Sequence, residues 1–165
     1  MNKTKRLTAL AVTVSIAMVL SFIESRIPAF VPIPGVKIGL ANIAVIFALY
    51  RFGTKEAICI SLVRVFLVSL LFGSFVSLLY SVSGALLSFG AMLLTKRMPR
   101  ISHVGVSVIG GVCHNIGQII VACFIMQTNV IVYYLPFLLL SGTIAGIAVG
   151  VLSALLISKV SFKIK

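Results

Sequence analysis

"GGVCHNIGQ", residues 110–118, decides how this chain is read. His114, Asn115 and Gln118 lie within it, yet "SHVGVSVI" precedes it and "IIVACFIM" follows, so the surroundings are apolar. An apolar run long enough to span a bilayer needs ~20 residues. At about 100° per residue, Ser107, Gly110, Gly111, His114, Asn115 and Gln118 fall on one helix face about 140° wide. Val112, Cys113, Ile116, Ile119, Ile120 and Cys123 take the remainder. The segment therefore reads as a membrane helix with one lipid-like face and one polar face thinned by glycine. Two uses of the polar face are open: a surface for a ligand, or hydrogen bonds to neighbouring helices. Three polar groups beside two glycines favour the ligand surface.

The whole chain supports a membrane setting. Of its 165 residues 61% are hydrophobic and 10% charged, against about 25% charged in a soluble domain. Apolar segments fall at about 7–27, 37–52, 54–73, 75–95, 101–127 and 130–158, and "PAFVPIPGV" (28–36), "FGT" (52–54), "GS" (73–74), "TKRMPRIS" (95–102) and "QTN" (127–129) separate them. The expected fold is an all-α integral membrane protein: one domain over 1–165, a bundle of about six transmembrane helices. The second segment is short and is expected to tilt little or to lie partly in the interface. The N-terminal run lacks a small-residue cleavage site after it and reads as a retained first helix rather than a signal peptide.

The formal net charge is +12, from 14 Lys and Arg against two acids, Glu24 and Glu56. Because the basic residues flank apolar segments, they point to topology and anionic headgroups and away from nucleic acid. Lys3, Lys5, Arg6, Arg51, Lys55, Lys96, Arg97, Arg100, Lys159, Lys163 and Lys165 share one side, and only Arg26 and Lys37 the other. By the positive-inside rule both termini are cytoplasmic, in a cell (cytoplasmic) membrane. Cys59, Cys113 and Cys123 lie in apolar stretches without metal-ligand spacing and read as small core residues.

Arg64 is the second anomaly, in the middle of the third segment, where a charge costs at least ~2.5–3.5 kcal/mol. Glu56 is two helical turns away, roughly 12 Å, so the acidic partner within reach is Glu24 of the first segment; an anionic ligand would serve as well. By depth, His114 and Arg64 fall near the midplane, while Gln118, Asn42, Glu24, Tyr80 and Lys37 fall in the outer half. That distribution suits an outward-opening pocket for a small polar or anionic molecule better than a through-channel. The Pro-rich loop 28–36 lies on the same side, as a lid or a stiff connector.

Small residues recur every fourth position at Ala9, Thr13, Ala17, Ser21 and Ser25, and again at Gly142, Gly146, Gly150, Ala154 and Ser158. Such stripes let backbones approach closely. The second reads as packing within the bundle; the first is open between internal packing and a docking face for another membrane protein. The chain carries no Walker motif, no paired carboxylates, no Asp-rich motif for magnesium diphosphate and no partner that would make His114 part of a nucleophilic pair. It reads as a binding protein with no catalytic residue, metal or cofactor, and as unable to couple to ATP by itself.

"PGVKIGLANIAVIFALYRFG" (34–53), "LFGSFVSLLYSVSGALLS" (71–88) and "GGVCHNIGQIIVA" (110–122) resemble the Gx transporter family, which also carries the label heptaprenyl diphosphate synthase component I. The resemblance runs from about residue 8 to 155 and is most specific around "HNIGQ" at 114–118. The family is similar to the substrate-binding S components of energy-coupling factor (ECF) transporters. That likeness implies six membrane helices, an outward pocket, and a first-helix stripe that docks a membrane coupling subunit, with ATPase subunits supplied in trans. Ala9, Thr13 and Ala17 match the docking stripe, offset from its usual pair of alanines. The older label implies an alternative, a membrane-associated non-catalytic component of a prenyl synthase. The resemblance names no substrate.

Overall fold

The computed structural model describes residues 3–26 and 39–160. Six α-helices run through them: α1 (Lys3–Arg26), α2 (Asn42–Arg51), α3 (Thr54–Phe72), α4 (Phe75–Lys96), α5 (His103–Met126) and α6 (Leu135–Lys159), the last preceded by a short 3-10 turn, Val130–Tyr134. Four segments, Lys3–Arg26, Phe75–Lys96, His103–Met126 and Val130–Lys159, are long and apolar enough to cross a membrane. The protein is thus a multi-pass membrane protein of helices alone among the described residues.

Local chemistry sets the helix ends. Ser74 caps α4 by accepting from the Ser77 N–H at 3.2 Å, and Ser102 caps α5 by accepting from the Gly105 N–H at 3.2 Å, so each serves one of the unpaired donors of a first turn. Gly53, at φ 121°, turns the chain between α2 and α3. Gly39, at φ 76°, does the same before α2, and the Asn42 N–H bonds the Gly39 carbonyl at 2.8 Å. That turn is why α2 starts at Asn42 and not at residue 37 as its hydropathy suggests.

With 10 residues, α2 spans only about 15 Å, half a bilayer. Ile43 to Leu49 are all buried, because the helix is apolar on every side and can be satisfied only in the interior. It packs against α1, α3 and α6, while α5 lies between α4 and α6 in the most extensive contacts of the bundle. Glycine makes those contacts possible. A Cβ on Gly111 would meet the Gly142 carbonyl oxygen at 2.6 Å; one on Gly146 would meet the Val108 Cα at 2.6 Å; one on Gly150 would meet the Val104 Cα at 2.8 Å. On the other side of α5, a Cβ on Gly117 would meet the Ser83 carbonyl oxygen at 2.7 Å. The α6 stripe is therefore a backbone-to-backbone seam with α5.

The α1 stripe also turns inward. Thr13 is 7% exposed, Ala17 0% and Ser21 6%, whereas Leu7, Val12, Ile16 and Val19 are exposed. Thr13 and Ala17 thus pack against the rest of the chain, while Ala9, one turn nearer the N-terminus, stays half-buried. Arg6 pairs with Glu56 and so ties the start of α1 to the start of α3. Arg51 donates to the Ile157 carbonyl at 2.5 Å and to the Val160 carbonyl, and Lys96 donates to the Leu49 carbonyl at 2.6 Å. Basic side chains thereby close the last carbonyls of α6 and α2.

Candidate functional site

Above the short α2 the bundle encloses a cavity of about 120 Å³. Its walls come from the C-terminal parts of α1 and α3, the N-terminal end of α2, and α4, α5 and α6. The cavity is biased toward the end of the bundle opposite Lys3, Arg51, Lys96 and Lys159.

Arg64 is the charged centre. Its Nη2 donates to the Asn42 Oδ1 at 3.3 Å, and its Nε is buried without a partner in the protein. The Glu24 carboxylate acts on it electrostatically and also accepts the Gly39 N–H. One acid from α1 thus serves both the turn that starts α2 and the arginine of α3. This brings together three residues expected at the site, Arg64, Asn42 and Glu24, and all three line the cavity.

His114 lines the same space from α5. Its ring lies on Gly84 of α4: a Cβ there would meet Cε1, Nδ1 and Nε2 at 2.8, 2.9 and 3.0 Å. Gly84 is a notch that sets the ring's position. Asn115, 6% exposed, borders the cavity, but its Nδ2 donates to the Leu138 carbonyl of α6 at 2.6 Å. A Cβ on Gly142 would meet that Nδ2 at 2.8 Å, so Asn115 is a link between helices as well as a wall.

Two expected residues are elsewhere. Gln118 is buried outside the cavity, with its Oε1 unpartnered, and Tyr80 is half-buried away from the lining. Lys37 and the loop 28–36 lie outside the described residues. The structure adds a set of hydroxyls that polarity alone had not marked, Ser21, Ser69, Ser77, Ser81 and Ser88, to Ser107 of the polar α5 face, which also lines the cavity. On α4 the signal is a stripe, Ser77, Ser81, Gly84 and Ser88, at intervals that keep to one helix face. Among the described residues no group of three His, Cys, Asp or Glu could hold a metal ion.

A second concavity, an apolar groove of about 610 Å³, runs along the N-terminal half of α1 between α2 and α6. Lys5, Ala9, Val12, Ile16, Phe47 and Leu156 are among its walls. Thus Ala9 and part of Thr13 border an open groove, while Ala17 does not.

Comparison with known proteins agrees with this architecture. The chain superposes on a solved S component of a bacterial ECF transporter with TM-score 0.66 and 23% identity, over 96% of each chain, and so shares its fold. No curated protein matches the chain. Residues 13–156 match the model of the heptaprenyl diphosphate synthase component I family, and the chain belongs to that family.

Proposed function

We propose that this protein is the membrane-embedded substrate-binding S component of an ECF-type uptake transporter, and that it holds a small polar or anionic molecule in the cavity around Arg64. The observation that carries the reading is the arginine itself. A buried guanidinium is costly in a membrane bundle, and this one keeps an unpartnered Nε at the wall of a cavity. An anionic or strongly hydrogen-bonding ligand would satisfy it. The ligand set is Arg64, Asn42, Glu24 and His114, with the lining serines. The full-length likeness to a transporter S component supports the assignment.

Orientation follows from charge. The cavity lies at the end away from Lys3, Arg6, Arg51, Lys55, Lys96, Arg97 and Arg100, so the positive-inside rule turns it outward from the cytoplasm. Lys37 would then belong to its outer rim. The α1–α2–α6 groove, with Ala9 in its wall, is the docking face for the coupling subunit, which brings the ATPase subunits.

Arg64→Met tests the ligand site. Against a metabolite panel, a compound that raises the melting temperature of the wild type should lose affinity for the variant by on the order of 5- to 150-fold, the equivalent of about 1–3 kcal/mol. A hit that binds the variant normally removes Arg64 from the site. The family's description favours a second reading, a partner of a prenyl synthase. Affinity purification from native membranes separates the two: ATPase and membrane coupling subunits support the transporter, and a soluble prenyl synthase subunit in their place overturns it.

A further inference from the structure

We propose that the ligand is a zwitterion, which presents a carboxylate to Arg64 and an ammonium group to Glu24, and that Glu24 is the residue that rejects simple anions. The inference rests on the cavity being the ligand site. Among the described residues that line it, Arg64 and Glu24 are the only Lys, Arg, Asp or Glu side chains. They come from different helices, α3 and α1, yet belong to one chain of hydrogen bonds. The Gly39 N–H donates to Glu24 Oε1. The Asn42 N–H donates to the Gly39 carbonyl at 2.8 Å, and Arg64 Nη2 donates to Asn42 Oδ1 at 3.3 Å. A positive and a negative group are thereby tied to one part of the wall, and the Glu24 carboxylate acts on Arg64 electrostatically.

The two side chains make opposite demands. A guanidinium is a donor only, and the Arg64 Nε is buried with no partner among the described residues, so the ligand atom that meets it must accept. An ionised carboxylate is an acceptor only, with about four lone-pair sites. Glu24 can therefore take a further donor while it holds the Gly39 N–H, and the ligand atom that meets it must donate. A simple carboxylate satisfies the arginine but brings a second negative charge toward Glu24, and like charges repel strongly where water is scarce. An amine alone has the inverse fault, because it suits Glu24 and meets Arg64 with a like charge. A molecule with both groups meets both demands and leaves the net charge of the site unchanged. The serines of the wall, among them Ser25, Ser77, Ser88 and Ser107, do not select by charge in this way, since a hydroxyl can donate or accept.

The probes are α-amino acids and short ω-amino acids, added to the purified full chain and followed by thermal stabilisation and calorimetric titration. Each is compared with the matching carboxylate that lacks the amine and with the matching amino-acid amide. For at least one scaffold the zwitterion should bind more tightly than either counterpart by on the order of tenfold, the effect of one hydrogen bond to a charged group. Glu24→Gln keeps an oxygen for the Gly39 N–H and removes the charge. It should weaken the zwitterion by on the order of tenfold and strengthen the matching carboxylate, a gain that damage to the fold would not produce. Arg64→Met should weaken both. A carboxylate that binds the wild type as tightly as its zwitterion, a preference unchanged in Glu24→Gln, or no binding by any member of the panel overturns the zwitterion. Copurifying ATPase subunits would in that event leave the transporter reading intact. Conversely, a preference that depends on Glu24 in a protein that captures only a soluble synthase would keep the zwitterion and end the transporter reading.

Discussion

Gly84→Ala is a direct test of how the site is held together. The added methyl would fall 2.8–3.0 Å from three atoms of the His114 ring, where ordinary contact begins near 3.4 Å. The ring is rigid and half-buried, so it must retreat by several tenths of an ångström or the helices must part. Overpacking of this kind costs typically ~1–3 kcal/mol. Alanine also favours a helix over glycine by up to ~1 kcal/mol, which would mask part of the cost. Gly90 supplies the reference: it is on the same helix, and a Cβ there meets nothing within 4 Å. The expected result is that Gly84→Ala is less stable than Gly90→Ala by ~1–3 kcal/mol in reversible unfolding from mixed micelles. If the ring is the cause, His114→Ala should abolish the difference, and the double-mutant cycle should return a coupling energy of that size. Equal stability of the two alanine variants would refute the notch. So would a penalty that persists in the His114→Ala background.

Asn115→Ala removes the bond to the Leu138 carbonyl and should lower stability by about 0.6 kcal/mol, up to ~1.7, the range for hydrogen bonds between membrane helices; an unchanged unfolding curve would show that the α5–α6 seam does not depend on it. In a background lacking Cys59, Cys113 and Cys123, an impermeant thiol reagent added to intact cells should label a cysteine placed at Thr128 and not one at Met98; the reverse pattern would place the cavity on the cytoplasmic side.

Much of the fold was legible because its punctuation is chemical. Gly53, the pair Gly73 and Ser74, and Gln127 to Asn129 all mark breaks between helices in the structure. The start of α2 was not legible, because Gly39 sits among apolar residues and only its positive φ turns it into a stop. The charged part of the site could be read for the opposite reason: Arg64 and Glu24 are expensive where they are, and expense is visible in a sequence. Serine is not expensive in a helix interior, since its hydroxyl can bond the carbonyl one turn back, as Thr13 and Ser21 do at 2.7 and 2.9 Å. The lining serines outside the polar face of α5 therefore carried no signal one at a time.

The position of Gln118 away from the cavity lining, and the double duty of Asn115, have one physical cause. A face about 140° wide is broad enough to meet more than one neighbour, and α5 has two, with α4 on one side and α6 on the other. His114 turns to Gly84 of α4 and Asn115 to Leu138 of α6, although the two are adjacent in sequence. Periodicity reports that a side chain faces inward; it does not report which helix, or which space, receives it. The stripes obey the same limit. Gly142, Gly146 and Gly150 on α6 and Thr13 and Ala17 on α1 share one spacing and all are buried, though Thr13 also borders the groove along α1. What α1 leaves outside is Leu7, Val12, Ile16 and Val19, bulky residues suited equally to lipid and to a partner helix. Beside them, only the groove that includes Ala9 gives that surface a shape that a second protein could match.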